Sequence, residues 1–269
     1  MDIIFEAELP ESVYNSNAIE NSTLTMADTE KILMEMEMSH NVSVREIFEA
    51  KNLARVSAYL KKKTKTKEID RDFILLLHKI LITNINNGIA GRFREQHEYV
   101  RVSTYIAPAP GHIETMLNTL LLEYSSNSKD YFLEKISKFH LEFENIHPFC
   151  DGNGRIGRVL LNFQLMQLGF PPIIIRDKEK QIYYSSFGEY RNSNKKKMAI
   201  INKVIQLALL ESFHKRLAYL KGKQIMTLAD YSKADYPKKS KDSLKILLNK
   251  SKRQTIPAFR EKGVWKIGY

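Results

Sequence analysis

His147, Asp151, Arg155 and Arg158 fall within one twelve-residue run, HPFCDGNGRIGR, together with three glycines and Asn153. These types divide the work of moving a phosphorus group. A histidine, with a reference pKa of about 6.5, accepts a hydroxyl proton near neutral pH. One carboxylate, with phosphate oxygens and water, is how Mg²⁺ is usually held in nucleotide sites. Arg155 and Arg158 stand three apart on a first helical turn, so their guanidinium forks suit a polyphosphate. The run describes a hydroxyl activated beside a Mg-bound polyphosphate.

Two helices must position it. Phe132, Ile136, Phe139, Phe143 and Ile146 recur at three- and four-residue spacing, which predicts a helix carrying His147 at its end. Val159, Leu160, Phe163 and Met166 predict a second helix that stops at Gly169-Phe170-Pro171-Pro172. The loop therefore opens a buried helix, whose free N–H groups and positive dipole end make an anion site. His140 and His147 do not share a metal, because seven helical residues separate them by roughly 10 Å. His140 is read as a buried, hydrogen-bonded histidine. Cys150 is the only cysteine, has no intrachain disulfide partner, and is given no catalytic role.

The loop resembles the signature of the Fic (Fido) family, HPFx(D/E)GN(G/K)RxxR, and matches it at every fixed position. The resemblance implies an AMP transferase, which cleaves ATP at its α-phosphate and moves AMP onto a Ser, Thr or Tyr hydroxyl of a protein. It implies ATP and Mg²⁺ as cofactors, with His147 as general base and Asp151 as the Mg²⁺ ligand. Asn153 with the backbone of Gly152 and Gly154 then resembles the α/β-phosphate anion hole. Arg155 and Arg158 resemble the arginines that grip the β- and γ-phosphates, and Gly157 completes the nucleotide-binding set. Within the same class, relatives that remove AMP or transfer another phosphate-containing group stay open as alternatives.

Ser16-Asn17-Ala18-Ile19-Glu20-Asn21 resembles the family's inhibitory motif, (S/T)xxxE(G/N). The resemblance implies that Glu20 pairs with Arg158 and keeps it from the γ-phosphate; otherwise Glu20 is a surface or helix-cap residue. Thr25 to Asp28 reads as a capping box that starts the next helix. The segment 91–110 alternates through Tyr99, Arg101, Ser103 and Tyr105, which predicts a β-hairpin. In the family such a hairpin, the flap, docks the target protein by strand addition; the alternative is an ordinary edge hairpin. Tyr183 or Tyr184 lines the adenine pocket by resemblance, or else packs an amphipathic helix.

At 269 residues the chain holds one substantial core and a small module. Helical spacing recurs from Phe73 to Leu81 and from Ile113 to Tyr124, so the expected fold is an all-α Fic helical bundle with one hairpin flap. The expected divisions are an N-terminal helical region 1–60, a core 61–212 and a C-terminal module 213–269. Residues 221–269 carry thirteen Lys/Arg against four Asp/Glu, whereas the whole chain is only +11. There, Thr227 with Asp230 caps a short helix, Leu244, Leu247 and Leu248 mark another, and 256–267 reads as a hairpin. This order resembles the winged helix-turn-helix of excisionase-like proteins. A basic module of that kind suits DNA, or it is a packing or dimerisation appendage. The second class of function is thus a DNA-binding regulator with the core as nucleotide sensor. No stretch of about 20 apolar residues appears and the N-terminus lacks a signal pattern, so a cytoplasmic protein without membrane contact is expected. Self-modification and an oligomer that controls Glu20 are open.

Overall fold

Short polar side chains set where the helices begin. Thr25, Ser43, Asp70 and Thr227 each accept a hydrogen bond from the backbone N–H three residues on, satisfying a donor that no helical carbonyl can reach. At Thr25 the bond is reciprocated by Asp28, the capping box the sequence predicts. The computed structural model describes residues 2–34, 42–102, 104–126, 130–234 and 243–269. Its helices before the loop are α1 (Asp2–Ile19), α2 (Met26–Leu33), α3 (Val44–Lys63), α4 (Arg71–Ile82), α5 (Ile113–Ser126) and α6 (Phe132–Ile146). After it come α7 (Asn153–Gln167), α8 (Lys180–Asn192) and α9 (Ala199–Leu220).

The loop-bearing helix is the axis of the bundle. Most of α7 from Asn153 to Leu165 is buried, packed by α6, α3, α4 and α1. Phe73, Leu77, Phe143, Phe149, Leu160 and Phe163 share one core on one side of it. Ile19, Leu141, Leu161, Leu165, Tyr183 and Ile205 share a second on the other. Gly169, at φ +81, ends α7 where the sequence expects it. Burial on all sides anchors the loop at its N-terminus to the core.

The flap is shorter than its alternation suggests. Strands β1 (Arg101–Val102) and β2 (Tyr105–Ile106) pair antiparallel, with Arg101 opposite Ile106 and Val102 opposite Tyr105. Ser103 lies outside the described residues. The rest of 91–110 wraps around buried Arg94, which donates to the carbonyls of Glu98 and Pro108, both at 2.9 Å. Backbone acceptors given to an arginine are not available to a strand ladder.

Beyond α9 the chain forms β3 (Ile225–Thr227), α10 (Leu228–Lys233), α11 (Leu244–Lys252), β4 (Ala258–Glu261) and β5 (Val264–Gly268). The sheet order is β3-β5-β4, antiparallel throughout. Lys262 and Gly263, both at positive φ, close the β4–β5 hairpin in two residues. Leu228, Leu247, Ala258 and Ile267 form a small separate core. Helix α3 crosses residue 60 and α9 crosses residue 212, so continuous helices join the three expected regions. Ion pairs add to this: Arg260 binds Glu211 and Glu179, Arg176 binds Glu11 and Glu211, and Arg216 binds Glu8. Among the described residues, no helix is long and apolar enough to cross a membrane.

Candidate active site

His147 caps the C-terminus of α6 in a left-handed conformation, φ +49, that a non-glycine residue adopts only when its surroundings hold it there. Those surroundings are identifiable. Its N–H bonds to Phe143 O, and its carbonyl accepts from Arg94 Nε at 2.9 Å. Nδ1 of the ring faces the carbonyl of Glu144 at 3.4 Å, while Nε2 makes no hydrogen bond to the described residues. Burial pushes the imidazole down to about 4, and nearby Arg94 works the same way. At pH 7 the ring is neutral and Nε2 carries a free lone pair.

The loop is closed by its own polar groups. Asn153 uses its side chain twice on Phe149, accepting from the N–H at 2.8 Å and donating to the carbonyl at 2.7 Å. The Asn153 amide thus ties the turn at Phe149 to the first residue of α7. Gly152 takes φ +82 against Leu81, whose Cδ2 would stand 3.1 Å from a Cβ. His78 stacks on Phe149 at 3.7 Å, accepts from Gly91 N–H and bonds the Asp151 carbonyl at 3.1 Å. Burial holds His78 down to about 4, so it is a neutral strut.

Asp151 meets two cations, Arg45 Nη2 at 2.6 Å and Arg155 Nη2 at 2.9 Å. Burial alone would raise its carboxyl, but Arg155 and Arg45 outweigh burial and hold it below the usual carboxylate range. Arg155 also reaches Glu49 at 3.3 Å. Arg158, buried, donates from Nε to Ser16 Oγ at 3.0 Å, and from Nη2 to Ser16 O and Glu20 Oε1, each at 2.8 Å. Burial opposes its charge, and Glu20 more than restores it.

The inhibitory-motif residues thus meet the loop across more than 130 residues of chain. The backbone explains their spacing. Ser22 N–H bonds Asn17 O and Asn21 N–H bonds Ala18 O, with Asn21 at φ +66. This is a Schellman ending, in which Gly or Asn is the residue that tolerates the left-handed position. It throws Glu20 off the end of α1 onto Arg158, so tightly against α7 that a Cβ on Gly154 would collide with the Glu20 carboxylate.

The two candidate tyrosines stand differently in α8. Tyr183 is 1% exposed, its hydroxyl bonds His140 Nε2 at 2.8 Å and its ring lies against Arg158. Tyr184 keeps an exposed ring and ties α1 down, donating to Ile19 O at 2.7 Å. His140 is buried as expected, yet only half satisfied, because Nδ1 has no partner among the described residues. Burial pushes the Cys150 thiol up to about 11, which leaves it inert.

Sequence reasoning missed Arg45, His78, Arg94 and Glu144. None lies in the loop, and a lone arginine in a predicted hairpin carries no signal that it holds the carbonyls of Ile146 and His147, more than 50 residues away. Glu144 is the least expected: 8% exposed, with Oε1 unpartnered and Oε2 3.9 Å from His147 Nδ1. Burial pushes its carboxyl up to about 8, Glu20 adding to this and Arg158 opposing it.

Comparison with known proteins agrees with the loop. Residues 68–165 match the family model of the Fic/DOC family. The chain is similar to a protein adenylyltransferase Fic of Nematostella vectensis, 33% identical over 184 residues, covering 67% of this chain and 42% of that protein. It therefore spans less than half the length of that curated relative. Among solved structures it is similar to a Fic domain containing signaling protein from Bacteroides thetaiotaomicron, with TM-score 0.73 and 25% identity, over 81% of this chain and 89% of that one. A Fic family protein from Desulfovibrio desulfuricans shares the fold over 100% of this chain and 88% of its own, with TM-score 0.67 and 17% identity.

Proposed function

Because residues 68–165 form a domain of the Fic/DOC family, we propose that the protein transfers AMP from ATP to a Ser, Thr or Tyr hydroxyl of a protein, under restraint by Glu20. The observation that carries this reading is the convergence at one helix N-terminus of a neutral imidazole, two arginines and a carboxylate already seated where an anion belongs. The target hydroxyl attacks the α-phosphorus, its proton passes to His147 Nε2, and the bond to the β-phosphate breaks to release pyrophosphate. The backbone N–H groups at 152–154 hold the α- and β-phosphate oxygens, and Arg155 and Arg158 take the outer phosphates.

Mg²⁺ fits the residues present. Asp151 is ionised, one third exposed at the loop mouth, and now neutralised by two arginines that a cation would replace. Asp151 would hold the metal, which supplies positive charge to the departing pyrophosphate. Adenine seats beside Tyr184. The target lies along β1–β2, whose Val102 and Ile106 are exposed, and the protein itself is one target. Restraint is a competition between the Glu20 carboxylate and a phosphate for one guanidinium, a bias of about a few kcal/mol.

A second reading attaches to the C-terminal module. The order helix, strand, two helices, hairpin, with β3 beside β5, supports a winged helix. Its lysines suit DNA, and duplex binding whose affinity falls linearly with log salt concentration tests that part. For the transferase, the Glu20→Gly chain is incubated with Mg²⁺ and ATP labelled at the α- or the γ-phosphate. Label retained from the α position alone, and lost in Glu20→Gly/His147→Ala, is expected. Label retained from the γ position, or unaffected by loss of His147, would overturn the reading.

A further inference from the structure

A cavity of about 1000 Å³ lies between the core and the C-terminal module and shares no residue with the catalytic loop. Ile182, Ile200, Val204, Leu207 and Leu248 give it aliphatic walls, and Trp265 of β5 closes one side. Its charge is unevenly satisfied. The acidic groups Glu11, Glu179 and Glu211 are taken by Arg176 and Arg260, and Asp177 pairs with Lys180 at 3.3 Å. By contrast Lys178, Lys203 and Lys252 stand exposed on the rim with no ion-pair partner among the described residues. Arg176 is 7% exposed, and its charge is met by Glu11 and Glu211. The cleft thus offers apolar surface together with surplus positive donors.

We propose that this cleft docks an acidic segment of a partner protein, with aliphatic side chains against the walls and carboxylates on the three lysines. The aliphatic lining favours a peptide over a nucleic acid, whose binding surfaces are polar as well as positive. At this volume the cleft is at the upper end of ordinary ligand sites and takes a short segment. Tyr14 and Asn15 of α1 line it, directly before Ser16. An occupant therefore sits on the helix that delivers Glu20 to Arg158.

Trp265 is the only tryptophan in the chain and reports the site directly. The probes are acetyl-LEELLEEL-amide, its LQQLLQQL counterpart and a 20-base-pair DNA duplex, each titrated against the full chain. The acidic peptide is expected to shift Trp265 emission saturably and to raise amide-exchange protection at residues 11–19. The glutamine peptide should bind at least tenfold more weakly. Lys178→Glu/Lys203→Glu/Lys252→Glu, changing only exposed side chains, should lose at least tenfold in affinity for the acidic peptide. Three results would each overturn the proposal: no emission shift by any peptide, equal binding by both peptides or by the triple variant, and a tighter Trp265 response to the duplex. These readouts need no enzymatic activity, so they stand or fall apart from the transferase reading.

Discussion

Replacing Glu144 by glutamine should stabilise the protein, by an amount that depends on pH in a calculable way. The carboxyl has an ordinary value of 4.5 and is pushed up to about 8 by burial. As pH rises, the unfolded chain releases this proton first, while the folded chain keeps it until about pH 8. Stability from this group is therefore fullest below pH 4.5. It falls by about 1.4 kcal/mol per pH unit above that, and is level beyond pH 8. At pH 7 the accumulated loss is about 3 kcal/mol. Glutamine has the same shape and no proton to release, so Glu144→Gln should exceed the parent by about 3 kcal/mol at pH 7 and by under about 1 kcal/mol at pH 5. Urea unfolding of both proteins at each pH reads the difference, and contributions from Arg158, Glu20 and Arg191 largely cancel between them. A variant no more stable than its parent at pH 7, or a gain that does not shrink toward pH 5, would refute the argument.

The same geometry governs three other measurements. Arg94→Lys keeps the charge but loses the fork that holds His147 O, Glu98 O and Pro108 O, so kcat for transfer should fall about 10- to 100-fold with little change in KM for ATP. Asn21→Gly should leave α1 and its restraint intact. Asn21→Val, forced into φ +66, should cost about 1 to 2 kcal/mol in unfolding experiments and raise basal transfer. Since burial lowers the His147 imidazole to about 4, kcat/KM should climb through pH 4 and be level from pH 5.5 to 7, rather than rising through 6.5.

How far the sequence foretold this arrangement depends on the range of the interactions. The ends of α6 and α7, the capping box at Thr25 and the β4–β5 turn follow from local rules, and all are where residue spacing puts them. The contact of Glu20 with Arg158 was legible only through a family motif, because nothing local links residues 138 apart in sequence. What local rules leave open is tertiary. Tyr183 and Tyr184 are adjacent in a helix, and only packing decides that one is buried behind Arg158 while the other faces outward. The type of Asn153 suits a phosphate ligand, and only the folded turn shows that its side chain also bonds the N–H and carbonyl of Phe149. Glu144 sits among the apolar residues of α6 with no sequence mark, since an unpaired buried carboxyl is recognised only once its surroundings are known.

The most direct test is the intact mass of the wild-type chain, Glu20→Gly and Glu20→Gly/His147→Ala after incubation with Mg²⁺ and ATP. The account predicts more AMP on Glu20→Gly than on the wild type, and none on the double variant. Equal AMP on the wild type and Glu20→Gly would contradict the restraint by Glu20, and AMP on the double variant would contradict His147 as the base.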